Sequence, residues 1–178
     1  MPETGNEGAD YAERISANAD AEKSAWRATL SDAEAMAADL EADGWRTLLV
    51  AAGHTAPESP ESGTHDRFGL THVVPGNVED EFVELFEAGQ FPRYEVHRAE
   101  AAGRAFVVTT LFDPETKAAI LVAGTYELRH AAGCARAAKE AGKMYTHVQK
   151  LDGTHLGSFE HDDYEKFFPE NVENWIDS

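Results

Sequence analysis

The sequence predicts an α+β domain: a mostly antiparallel sheet of about six or seven strands, helices packed on one face, and a long N-terminal helix. Three observations carry this reading. Apolar residues in the N-terminal segment recur at helical spacing. The second half is a run of short apolar segments separated by tight turns. Most strand connections are shorter than the dozen or so residues that a parallel crossover needs, roughly. With 178 residues the chain suits one domain, expected over residues 10–178, preceded by a flexible acidic arm over residues 1–9.

Each element follows from its own residues. Between Asp10 and Asp43, Trp26, Leu30, Ala33, Ala37 and Leu40 recur every three or four positions and make one apolar stripe. Ser31 and Glu34 match a capping box, which predicts two helices meeting near residue 30, and Gly44 ends the segment. Trp45–Ala52 and Leu70–Val74 read as strands, with a long polar loop, Gly53–Gly69, between them. Asn77 caps a helix whose Val78, Phe82, Leu85 and Phe86 share one face. Tyr94–Glu100 and Arg104–Phe112 flank a tight turn at Ala101-Ala102-Gly103, and Asp113-Pro114-Glu115-Thr116 turns the chain into Ala118–Ala123. Thr125–Ala141 reads as a helix. Met144–Leu151 and Thr154–Phe159 form a hairpin over Asp152-Gly153, a type I′ signal. A last short helix covers Asp162–Phe168, with His161-Asp162-Asp163 as its N-terminal cap.

Charge points to environment more than to partner. There are 33 acidic and 15 basic residues, a formal net charge of −18, which argues against a general binder of nucleic acid or anionic membrane. Lysine and isoleucine are scarce (6 and 3) and alanine is abundant (29), the pattern of proteins that work in concentrated salt, where such self-repulsion is screened. No signal peptide and no membrane-spanning run is visible, so a cytoplasmic location is expected. The single cysteine, Cys134, excludes an intrachain disulfide and reads as a buried thiol.

The spacings that announce a nucleotide site, a serine-hydrolase elbow or a metalloprotease are absent, and no Ser-His-Asp arrangement is expected. Two constellations remain. In the 53–69 loop, His54, Glu58, His65, Asp66 and Arg67 are candidates for a pocket. His54, His65 and Asp66 form the weak alternative of a divalent-metal site, and otherwise no cofactor is expected. The second is a basic centre. Residues 1–90 carry 19 acids and 5 bases and residues 151–178 carry 8 and 1, whereas residues 91–150 carry 6 and 9. Arg129, Arg136, Lys139 and Lys143 could offer a face to an acidic protein, an anionic ligand or a nucleic-acid backbone; the competing reading is neutralisation by the chain's own carboxylates. These features favour a non-enzymatic binding or regulatory domain, with a small metal-dependent hydrolase or ligand-binding enzyme, or a ribonucleoprotein-associated factor, as alternatives.

The residues Ala52-Gly53-His54-Thr55-Ala56-Pro57-Glu58, Asp66-Arg67-Phe68-Gly69-Leu70, Val73-Val74-Pro75-Gly76 and Phe159-Glu160-His161-Asp162-Asp163 resemble a haloarchaeal family classed as a domain of unknown function. The resemblance covers roughly residues 24–170. It implies a haloarchaeal cytoplasmic source and assigns no activity, cofactor or catalytic residue.

Overall fold

A computed structural model describes residues 2–61 and 67–175, with side chains from Tyr11 onward. The first helix, α1 (Pro2–Ala42), is continuous through Ser31, so the two-helix expectation is corrected: helical packing on a sheet overrides the local capping signal. The apolar stripe is where the spacing places it. Ala33 and Ala37 are buried against a sheet, and Trp26, Leu30, Met36 and Leu40 pack beside them. Residues 11–21 stand clear of the body, with Tyr11 and Ile15 more than half exposed.

The remaining elements run in the order β1 (Arg46–Ala51), β2 (His54–Glu58), β3 (Gly69–Val74), α2 (Glu79–Ala88), β4 (Arg93–Ala101), β5 (Arg104–Asp113), β6 (Ala118–Glu127), α3 (Ala132–Ala141), β7 (Met144–Lys150) and β8 (His155–His161). The α+β class, the long first helix and the mainly antiparallel pairing hold. The single sheet does not: among the described residues eight strands divide into two mixed four-stranded sheets, β1-β6-β5-β4 and β2-β3-β7-β8. Each sheet contains one parallel pair, β1 with β6 and β3 with β7, made between strands far apart in the chain. The expected hairpins β4–β5, β5–β6 and β7–β8 are all present.

Helices are not confined to one face. α1 covers the outer side of the first sheet over Val108, Ala119, Leu121 and Ala123. The inner faces of the two sheets meet in a shared core. At one end of it α2 inserts Phe82 and Leu85 beside Val122, Val148 and Phe159. At the other end α3 packs Ala135 and Ala138, with its N-cap Ala131, against Val107, Tyr126 and Met144. Three boundaries also move. His54–Glu58, read as loop, is the edge strand β2, where Pro57 is tolerated. Thr125–Glu127 extends β6 and Leu128–His130 is a 3-10 turn, so α3 starts at Ala132 rather than Thr125. The last helix is a 3-10 turn, Tyr164–Phe167, capped by the Asp163 carboxylate, which accepts from the Glu165 N–H at 3.1 Å.

His161 is therefore not a cap but a core residue. With His72 and Thr55 it belongs to a polar seam between the sheets. His72 Nδ1 lies 2.8 Å from Thr55 Oγ1, and His161 Nε2 lies 2.7 Å from Thr146 Oγ1. Glycine at position 124 is what makes room for the first pair: a Cβ there would sit against Thr55 Oγ1 and 2.7 Å from His72 Nδ1. Burial, reinforced by neighbouring imidazoles, lowers His72 to about 3; burial lowers His161 to about 4.

Candidate functional site

Two polar assemblies leave this core. The first is a cleft of about 690 Å³ between the β2 edge, the start of β5, the end of β6 and the first turn of α3. Its walls carry His54, Arg104, Glu127 and His130. The β-hairpin register fixes the charged pair, since Arg104 and Glu127 face each other across β5 and β6. Arg104 is held from three sides. Its Nε donates to Thr125 Oγ1 (3.1 Å), a terminal nitrogen donates to the Thr125 carbonyl (3.2 Å), and Glu22 of α1 lies at 3.6 Å. Glu127 is shared by Arg104 (3.8 Å), Arg129 (3.2 Å) and His130 Nδ1 (3.0 Å). Cys134 closes the back wall. Burial pushes its thiol up to about 12, so it is a neutral packing group, as its small-residue surroundings predict.

The second assembly lies on the outer face of the β2-β3-β7-β8 sheet. His147 of β7 and Ser158 of β8 are a cross-strand pair, which puts both side chains on one face. Four hydrogen bonds run through them in a single direction. Arg67 donates to His155 Nδ1 at 2.6 Å, because a guanidinium can only donate. His155 therefore carries its proton on Nε2, which donates to Ser158 Oγ at 3.0 Å. At the far end, the Phe68 carbonyl can only accept, so His147 Nε2–H donates to it at 3.0 Å. Burial lowers His147 to about 4, leaving Nδ1 as a free lone pair at neutral pH. The Ser158 hydroxyl accordingly donates to that nitrogen, at 2.7 Å.

The sequence candidates fall as follows. His54 lines the cleft and Arg67 anchors the hydrogen-bonded chain. Glu58 does neither, accepting from Thr71 Oγ1 at 3.1 Å. His65 and Asp66 lie outside the described residues, and among the described residues no three His, Cys, Asp or Glu side chains gather as a metal-ligand set. The four central bases do not share one free face. Arg129 pairs with Glu127, Arg136 donates to the Glu173 and Trp175 carbonyls, Lys139 lies 3.6 Å from Glu173, and Lys143 lies 3.6 Å from Glu160. Sequence reasoning missed Arg104, Glu127 and His130, and also missed His147, His155 and Ser158. For the second group a signal existed. Asp152-Gly153 announces the hairpin that carries them, although the turn closes from Lys150 to Thr154 and a register shift between Val148 and Gln149 is what sets Ser158 opposite His147.

The model of a family of unknown function matches residues 12–169. The chain belongs to that family, DUF7529. The DUF7529 match includes most of α1, reaching further toward the N-terminus than the quoted motifs do, and takes in every residue of the Ser158 assembly. No curated protein and no solved structure matches the chain. Among the described residues of this DUF7529 protein, no helix is long and apolar enough to cross a membrane.

Proposed function

We propose that this protein is a cytoplasmic, salt-adapted binding or regulatory domain that seats a small polar ligand, anionic at one end, in the cleft of Arg104, Glu127, His54 and His130. One observation carries the reading. The cleft's volume of about 690 Å³ matches a small-molecule site, and its polar side chains converge from four separate elements. Arg104 and the two imidazoles supply donors, and the first turn of α3 adds backbone N–H groups, since Ala131 at its N-cap offers no side-chain acceptor. Glu127 supplies an acceptor for a ligand hydroxyl or amine. The salt adaptation rests on the −18 charge with few lysines, and an archaeal source is the companion expectation. The pairing of Arg129, Arg136, Lys139 and Lys143 within the chain supports a ligand cleft over a nucleic-acid face.

Citrate and inorganic phosphate, each titrated at constant ionic strength, are the first probes. Either should raise the melting temperature of the intact protein, and His130→Ala should weaken that shift while leaving the unliganded transition in place. No shift with either probe, or an equal shift in His130→Ala, would count against the cleft.

A further inference from the structure

We propose that Ser158 is a nucleophilic serine, with His147 as its base, acting on activated acyl donors such as aryl esters or thioesters. The observation is the directed chain of four hydrogen bonds described above. Serine is a weak nucleophile until a base takes its proton, and the base works only if it is neutral, correctly tautomeric and held in place. All three conditions are met by different groups. The Phe68 carbonyl fixes the His147 tautomer and ring orientation, as a carboxylate does in the familiar triads. Tyr145 stacks on the same ring with centroids 5.6 Å apart, and Phe68 packs edge-on against Tyr145 at 5.3 Å. His155 Nε2–H, aligned by Arg67, donates to Ser158 Oγ and so stabilises the negative charge that develops on that oxygen as its proton leaves for His147.

The placement also differs from that of a purely structural hydroxyl. Ser158 is only half-buried and sits on the edge strand of its sheet, beside the exposed His155. The histidines of the inter-sheet seam are enclosed, whereas Ser158 and His155 face outward over the buried His147.

The chemistry balances without a further reactant than water. Ser158 Oγ bonds to the acyl carbon while its proton passes to His147 Nδ1. The bond from carbon to the leaving oxygen or sulfur then breaks, and His147 returns the proton to the leaving group. Water, deprotonated by His147, attacks the acyl-serine; the carboxylic acid leaves and Oγ regains its proton. A ring whose proton affinity is depressed is always ready at neutral pH but is a feeble base. That restricts the reaction to donors whose leaving groups need little assistance, which is why activated acyl groups are the class named.

The test is covalent labelling of the folded, full-length protein with a fluorophosphonate, where the phosphorus–oxygen bond forms at Oγ and fluoride leaves, read by intact and peptide mass spectrometry. One adduct per chain, located on Ser158 and absent from Ser158→Ala, is expected. His147→Asn, whose amide oxygen replaces the ring acceptor, should slow labelling by about a hundredfold or more. p-Nitrophenyl acetate should release nitrophenolate in a burst of one equivalent. If His147→Asn does not fold, the pH profile of wild-type labelling replaces it: with folding followed by tryptophan fluorescence at each pH, the rate should hold level from pH 8 to 5.5. The charged and titratable groups that face the ring are Arg67, His155 and Tyr145. No adduct on Ser158, equal labelling in a folded His147→Asn, or a rate that falls through the ordinary imidazole range would overturn the proposal.

Discussion

Acidification should unfold this protein through its buried histidines, and the size of the effect follows from where they sit. His72, His147 and His161 are all buried in the folded chain, and burial lowers them from 6.5 to about 3, 4 and 4 respectively. The unfolded rings take up protons near the ordinary imidazole value, so between pH 6.5 and 4 the unfolded state binds more protons than the folded one. Stability is therefore complete above pH 7, falls as the pH drops through this window and levels out below the folded values. At pH 5 each ring still stays neutral in the folded state but is almost fully charged once unfolded. Each then removes about 2 kcal/mol, and the three together about 6 kcal/mol, comparable with the whole stability of a typical domain. Asp113 lies outside this window because the Thr116 hydroxyl and the backbone N–H groups of Gln90, Phe91 and Thr116 hold its carboxyl below the usual range. Urea unfolding at fixed KCl concentration, followed by fluorescence of Trp26 and Trp45 at pH 7.5 and pH 5, measures the loss. In the double variant Thr146→Val/His161→Phe the pH-dependent part should shrink by a third, to about 4 kcal/mol, whatever its stability at pH 7.5. A wild-type loss under about 2 kcal/mol, or an unchanged pH dependence in the double variant, would refute the argument.

Other outcomes test other contacts. Gly124→Ala should cost about 3 kcal/mol by forcing Thr55 and His72 apart, seen as a lowered urea midpoint with an unchanged slope. Tyr126→Phe should cost about 2 kcal/mol, because the buried phenol donates to the Phe167 carbonyl at 2.6 Å and that carbonyl would lose its partner; calorimetry at pH 7.5 reads the difference. The melting temperature should rise between 0.1 and 3 M KCl as the −18 charge is screened, and a flat curve would remove the salt-adapted reading.

What could be read from the sequence was whatever is local. The stripe of Trp26, Leu30, Ala33, Ala37 and Leu40 announces α1 because side chains three or four apart share a helix face whatever they pack on. The turns at Gly103 and Gly153 announce their hairpins because their positive φ angles suit glycine and few other residues. What escaped is set by distant partners. The strand β2 is short, contains Pro57 and lies at an edge, so only its pairing with β3 defines it. The division into two sheets depends on the parallel pairs, whose strands lie far apart in the chain. His72 and His161 carry polar side chains into the core because Thr55 and Thr146 meet them there, and no single segment holds both partners of the first pair. In the cleft, His54 was legible as a polar residue beside a strand end. Arg104 and Glu127 looked like ordinary strand-end charges until the β5–β6 register set them face to face.

The parallel pairing of β1 with β6 also bears on how the chain is made. The apolar stripe of α1 comes to rest on β5 and β6 as well as on β1, and among the described residues β1 pairs with β6 alone. During synthesis the helix and its following strand therefore leave the ribosome long before their surface exists, and wait until the chain has been extended past Glu127. The β4–β5–β6 meander, whose contacts are local, can assemble first and act as the template onto which the older N-terminal segment folds back. Until then Trp26, Leu30 and Leu40 have only Trp45 and Leu49 to pack on, and the acidic residues crowding the rest of α1 help to keep that nascent segment dispersed.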